Sequence, residues 1–305
     1  MKSSWVYPLL IIFASSSYGI LSTIVKVAMK HGYTSAEAIT SQYLFGFFLA
    51  LILFIVTQRT LPKITKSGAF TLLIAGALTA ITGSVYGQSL NYLPASLAVV
   101  LLFQFTWIGL FMDCVFKKRL PSRIELISLA FLVVGTILAA GILDVDLSQI
   151  AWQGWALGLT AAFSFAAFLQ INSRPVEGVT TIGRTLILST ISLIVISIFL
   201  SPEILWNGQL TTGLWKYGLA LGLFGIIFPI LLFAIAAPKV GGALVSILSA
   251  MELPVAIIVS VIVLKESLTL LQVSGIILVL IGMSLPSYFG AKKQKRLQQR
   301  TLSEN

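Results

Sequence analysis

Ten apolar stretches of about twenty residues, separated by short loops, run the length of the 305-residue chain. A helix of that length matches the ~30 Å hydrocarbon core of a bilayer, and in lipid only helices and closed barrels satisfy their own backbone polar groups. Hydrophobic residues make up 57% of the chain and charged residues 10%, which excludes a water-soluble fold. The expectation is an all-α integral membrane protein with spans near 5–30, 34–57, 67–90, 94–116, 122–143, 153–173, 180–200, 214–236, 240–264 and 269–289. The first stretch follows Lys2 as a signal peptide would. It continues past Ser15, Ser16, Ser17 and Tyr18 to about Met29, too far for the core of a cleaved leader.

A net charge of +10 would suggest nucleic acid in a soluble protein, but here the basic residues flank lipid-length segments. If the N-terminus is cytoplasmic, that side receives Lys2, Arg59, Lys63, Lys66, Lys117, Lys118, Arg119, Arg123, Arg174, Arg184, Lys239, Lys292, Lys293, Lys295, Arg296 and Arg300, which is 16 of 20. The other side keeps Lys26, Lys30, Lys216 and Lys265, and the loop after the fifth span carries Asp144 and Asp146. An error of one span would scramble this sorting, so it predicts both the span count and cytoplasmic termini in the cell membrane. Trp5 falls at the inner boundary, Trp152, Trp155, Trp206 and Trp215 at the outer one, and Trp107 at mid-membrane.

Sliding the chain by 147 residues superposes Trp5 on Trp152, Leu97 on Leu244, Lys118 on Lys265 and Gly135 on Gly282. The halves read as two five-helix repeats, 1–146 and 147–290, followed by a basic cytoplasmic tail, 291–305. Because five is odd, the second repeat enters the membrane inverted, an arrangement that marks secondary transporters. Small-residue pairs four apart (Gly83 with Gly87, Gly154 with Gly158, Gly218 with Gly222) predict close helix contacts.

A single cysteine, Cys114, and a single histidine, His31, leave no disulfide and no Cys/His metal site. No GxxxxGK[ST] phosphate loop is present, which argues against ATP-driven pumping. His31, at the outer end of the first span, has no partner that would make it a hydrolytic base. Neither enzymatic activity nor a cofactor is expected, and no nucleic-acid or obligate protein partner is indicated.

Glu252 stands near the bilayer centre, where a carboxylate costs roughly 2.5 to 3.5 kcal/mol on insertion scales, so it should face the protein interior or a wet cavity. Two residues on, Pro254 withdraws a helix donor from the carbonyl near position 250. Glu252 reads either as a substrate-contacting or protonatable group, or as a neutral acid hydrogen-bonded between helices. Gln104, Thr106 and Trp107 reach the same depth in the fourth span, and Gln104 and Trp107 share a face. They would supply an amide and an aromatic wall to a small organic ligand, or simply fill space between helices. Among the hydroxyls at 15–18, Tyr18 is the candidate to face a cavity, while the serines can bond back to their own helix. Thr79, Thr82 and Ser164 are lesser candidates, and Pro229 predicts a kink. Lys26 can snorkel to the outer surface, Asp113 and Lys117 form an i, i+4 pair, and Glu266 is a charge at a loop edge.

The segments Leu93-Pro94-Ala95-Ser96-Leu97-Ala98, Glu252-Leu253-Pro254-Val255 and Leu264-Lys265-Glu266-Ser267-Leu268-Thr269, with Gln272, Gly275 and Gly282, together resemble the ten-helix EamA-like branch of the drug/metabolite transporter superfamily. That family typically shows Glu-x-Leu-Thr-x-x-Gln-x-x-Gly, matched here by Glu266, Leu268, Thr269, Gln272 and Gly275. The resemblance implies a proton- or exchange-linked carrier with a cavity between two five-helix halves, often exporting amino acids or other small metabolites. Many members carry a lysine where this chain has Lys26. Many also carry an arginine where this chain reads Ser41-Gln42-Tyr43, so no role for that arginine transfers.

The resulting expectation is a secondary transporter of a small organic metabolite, with a midplane site bordered by Tyr18, Gln104, Trp107 and Glu252. Glu252, Lys26 and Glu266 are the candidates for coupling or gating. Its partners would be the solute, protons and the bilayer. The alternatives are a multidrug or cation exporter and a membrane sensor or scaffold that does not transport.

Overall fold

The computed structural model describes residues 5–58, 60, 64–89, 91–93, 95–141, 151–200, 202–265 and 267–303, with backbone alone at 95, 96, 202 and 290–303. Lys2, Arg59, Lys63, Asp144, Asp146, Glu266 and the expected boundary at 146/147 lie outside these residues. Ten helical segments are long and apolar enough to cross a membrane. Spans one to three are α1 (Val6–Lys30), α2 (Ser35–Thr57) and α3 (Lys66–Ser89). Span four is broken into α4 (Ala95–Leu102) and α5 (Phe105–Phe116), and span five is α6 (Arg123–Ala140). Spans six and seven are α7 (Trp152–Asn172) and α8 (Thr181–Phe199). Span eight comprises α9 (Trp215–Gly222) and α10 (Phe228–Val240), each entered through a five-residue π-helical segment. Span nine comprises α11 (Gly242–Leu248), a 3-10 turn (Ser249–Met251) and α12 (Glu252–Leu264), and span ten begins α13 (Leu270–Ser303).

Local chemistry sets the helix ends. Thr34 with Glu37, and Ser122 with Glu125, form capping boxes that start α2 and α6. Thr269 and Gln272 make the same reciprocal bonds ahead of α13, at 3.0 and 3.2 Å, so the Thr-x-x-Gln part of the sequence pattern is a helix start. Span eight begins earlier than expected, through the π-helical turn at Leu210–Leu214. The helix of span ten runs to Ser303 rather than ending near 289, because the tail consists mostly of good helix formers and contains no breaker.

The 147-residue offset holds in the coordinates. It carries the start of α4 onto that of α11, α5 onto α12 and α6 onto α13. Helix packing maps onto itself when the halves are exchanged. α3 lies on α7 as α10 lies on α1, α2 on α9 as α8 on α3, and α1 on α12 as α7 on α5. Three contacts are their own counterparts: α2 with α8, span four with span nine, and α6 with α13. In the last of these a Cβ added at Gly135 would meet the Val279 nitrogen at 2.8 Å, and one at Gly282 would meet the Ser128 oxygen at 3.0 Å. Such reciprocity is the signature of a twofold relation, and backbones come this close in membranes through small residues.

The symmetry breaks along the membrane normal. α5 and α11, the halves of spans four and nine that lie towards Lys117, Lys118, Arg119 and Lys239, are closely packed, with Gly109 against Ser246 and Cys114 against Ala243. Their counterparts at the opposite end, α12 and α4, have no comparable contact. Among the described residues, the seam between spans four and nine is closed at the basic end and parted at the other.

Candidate functional site

Glu252 is the first residue of α12 and stands where the closed seam opens into the parted one. Gly19 places α1 there, since a Cβ at Gly19 would lie 2.5 Å from the Glu252 backbone oxygen. This contact sets Tyr18, the next residue along α1, within electrostatic reach of the Glu252 carboxyl, and Tyr86 of α3 is in reach as well. Glu252 remains partly exposed though protein surrounds it, as a residue lining an internal hollow would. Among the described residues its carboxyl has no hydrogen-bond partner. A carboxyl at this depth facing acyl chains would bear the full insertion cost; here it faces the bundle.

An aromatic wall continues from Tyr18. Its ring stacks on Phe233 of α10 with centroids 6.1 Å apart and meets Phe165 of α7 edge to face at 5.8 Å. Phe165 in turn meets Phe105 of α5 at 4.8 Å. Behind them Tyr43 donates to the Thr79 carbonyl at 2.9 Å. Phe105, Phe165 and Phe233 are the 147-residue counterparts of Glu252, Tyr18 and Tyr86. Glu252, Tyr18 and Tyr86 and their counterparts thus form three repeat-related pairs, one member of each polar and the other apolar.

The structure brings Tyr18 and Glu252 together and leaves Gln104 and Trp107 apart from them. Gln104 donates to the carbonyl of Val100 at 2.8 Å and accepts from the Trp107 indole at 2.8 Å, so the pair is tied to its own helix. Trp107 is 41% exposed and shares a stripe with Phe111 and Val115, at 63% and 56%, on the face turned to lipid. From span four it is Phe105 that reaches the aromatic cluster, a residue the sequence reading passed over. The signal was available, because the repeat offset places Phe105 on Glu252. Lys26 is exposed near the end of α1.

Several other polar residues in the spans are spent on structure. Ser15 bonds back to the Ile11 carbonyl at 2.8 Å, and Thr82 bonds to Leu78 and to Ser164. Ser17 donates to the carbonyl of Phe224, which lies in the π-helical turn ahead of Pro229. π-turns of this kind recur at functional sites. At the basic end Asp113, 2% exposed, pairs with Lys117 at 2.8 Å as expected and also with Arg119 at 2.9 Å, which the sequence reading missed. Arg119 bonds Glu125 as well, at 2.7 and 2.8 Å. Hydrogen bonds to Glu125 and then Asp113 hold its guanidinium above the usual arginine pKa despite partial burial. An open furrow on α13, lined by Ile277, Leu280, Ile281, Ser284, Leu285 and Tyr288, offers a solute little, since the Ser284 hydroxyl is spent on Leu280 at 2.6 Å.

Residues 152–288 match the family model described as the EamA-like transporter family. This part of the chain is similar to that family. EamA proteins are transporters within the drug/metabolite transporter superfamily, and with ten apolar helices the chain is a multi-pass membrane protein. A crystal structure, described simply as that of a protein, superposes on 96% of this chain and 99% of its own, with a TM-score of 0.70 at 11% identity. That likeness shows a shared fold from end to end. No curated protein matches the sequence.

Proposed function

We propose that the protein is a secondary transporter carrying a small organic metabolite out of the cell by alternating access. The observation that carries this reading is the partly exposed Glu252 carboxyl, faced by Tyr18 and Tyr86 at the point where spans four and nine part. In this reading residues 1–146 and 147–290 are the two moving units and both chain ends are cytoplasmic in the plasma membrane. The state closed at the basic end is then the outward-facing one, and exchange of the two packings gives the inward-facing one. Glu252 takes up the proton or the cationic group that couples transport. A metabolite screen comparing medium and cytosol in cells lacking or overproducing the protein names the solute. Counterflow in proteoliposomes then tests it, and an unaltered rate and pH dependence in Glu252→Gln would refute the coupling role.

A second reading, a multidrug or cation exporter, is favoured by one observation. A carboxyl beside the stacked rings of Tyr18, Phe165 and Phe233 suits an ammonium group through ion pairing and cation–π attraction. Counterflow of several chemically unrelated cations would support it, whereas a sensor or scaffold would bind solute without accumulating it.

A further inference from the structure

The helix breaks in spans four and nine are counterparts, yet they differ in what they leave unsatisfied. In span four the break consumes its own donors: Gln104 Nε2 serves the Val100 carbonyl at 2.8 Å, and Thr106 Oγ1 serves that of Phe103 at 3.0 Å. In span nine Pro254 has no N–H to give the Ala250 carbonyl, its partner four residues back. Ser249 is 1% exposed and its hydroxyl is without a partner. Residues three apart in a 3-10 turn eclipse one another, so Ser249 and Glu252 project from the same side of the helix. A hydroxyl without a partner, a carbonyl that has lost its helical donor and receives only the N–H of Glu252 two residues on, and a carboxyl thus belong to one break.

We propose that this break binds a monovalent alkali cation of the size of Na+. The ligands are all oxygen, the donor type that hard cations take. One carboxylate balances one positive charge, while a divalent ion would leave net charge at mid-membrane, where it is costly. A proton on Glu252 would neutralise the carboxyl but leave the Ser249 hydroxyl unserved and the second lone pair of the Ala250 carbonyl idle. A bound cation engages all three, with the Ser249 O–H free to donate to the Glu252 carboxylate. The binding rests on the break alone, and only its use in coupling rests on the transporter reading above.

The test is thermal unfolding of the full-length protein in lipid nanodiscs at constant ionic strength, titrating NaCl against choline chloride, with KCl as a second arm. The expected result is a saturable rise in melting temperature with Na+, smaller with K+. Ser249→Ala should weaken the apparent Na+ affinity about fivefold, the loss of one such contact, and Glu252→Gln should abolish the response. Ser260→Ala, whose hydroxyl is spent on the Ile257 carbonyl at 3.0 Å, should respond as the parent does. Equal melting in Na+ and choline, a rise that never saturates, or an Na+ response unchanged in Ser249→Ala would overturn the proposal. Should Glu252→Gln fail to fold, Ser249→Ala decides the matter. A negative result here leaves the transporter reading to be judged by counterflow.

Discussion

Tyr18 and Phe165 occupy the same position in the two halves of the chain, and their rings meet edge to face with centroids 5.8 Å apart. A residue that touches its own counterpart marks the axis relating the halves. Around that point the relation is obeyed in shape and broken in chemistry. The contact of Phe105 with Phe165 corresponds to Glu252 beside Tyr18, each pair joining one residue from either half. In each pair of counterparts one member is apolar and the other polar, and Glu252 is the one able to carry charge.

The close approach of α1 to α12 depends on Gly19. A Cβ there would sit 2.5 Å from the Glu252 oxygen and 2.9 Å from the Val255 Cβ, and backbone atoms cannot turn aside as a side chain can. Gly19→Leu should separate Tyr18 from Glu252 at a cost of about 1 to 3 kcal/mol. Counterflow should fall at least about tenfold while membrane insertion, followed by protease protection of a C-terminal tag, is unchanged.

The basic-end seam carries its own reporter. Cys114 is buried against Ala243 of α11, and Gly109, five residues earlier, has no room for a Cβ beside Ser246. Gly109→Val should wedge α5 from α11 and raise maleimide labelling of Cys114 about tenfold, the response to roughly 1.4 kcal/mol of seam destabilisation. Unchanged labelling would show that the seam is not the closed gate.

Lys118 and Lys265 are the non-glycine residues with positive φ among the described residues, at 50° and 57°, and they are repeat counterparts. The left-handed conformation costs a side-chain-bearing residue about 1 to 2 kcal/mol. Glycine at either position should therefore raise the melting temperature, and valine should lower it.

Arg119 ties Asp113 to Glu125. Its guanidinium, held above its ordinary pKa, stabilises the fold at every pH below the unfolded value, and that contribution fades only as pH rises through the still higher folded value. Arg119→Lys should be the less stable protein at pH 8 by about 1 kcal/mol, because a point charge loses the forked bonds and the site is partly exposed. The gap should widen towards pH 11 as the lysine discharges. Melting curves of both proteins from pH 8 to 11 measure it.

Much of this architecture was legible in the sequence. Span number follows from apolar length, and the repeat follows from a constant offset that pairs Lys118 with Lys265 and Gly135 with Gly282. Glu252 stood out because a lone carboxyl in a lipid-length segment demands an explanation. Phe105 did not stand out, since one phenylalanine among 19 carries no signal until the offset is applied to it. Trp107 drew notice for its size, but which face of a broken helix it takes depends on how the helix restarts after Gln104, and composition does not encode that. Arg119 was assigned to sidedness, and its second task appears only when the loop folds back on Asp113 and Glu125.

The central claim is a wet hollow at mid-membrane, lined by Glu252 and open at the end opposite the basic loops. Substituted-cysteine labelling tests it without knowledge of the solute. Glu252→Cys is placed on a Cys114→Ala background, with Phe111→Cys, on the lipid-facing stripe, as the comparison. The account predicts that a membrane-impermeant maleimide labels the cysteine at 252 only when added on the side opposite the basic loops, and leaves the one at 111 unlabelled from either side. A cysteine at 252 as unreactive as the one at 111, or reactive only from the basic side, would contradict it.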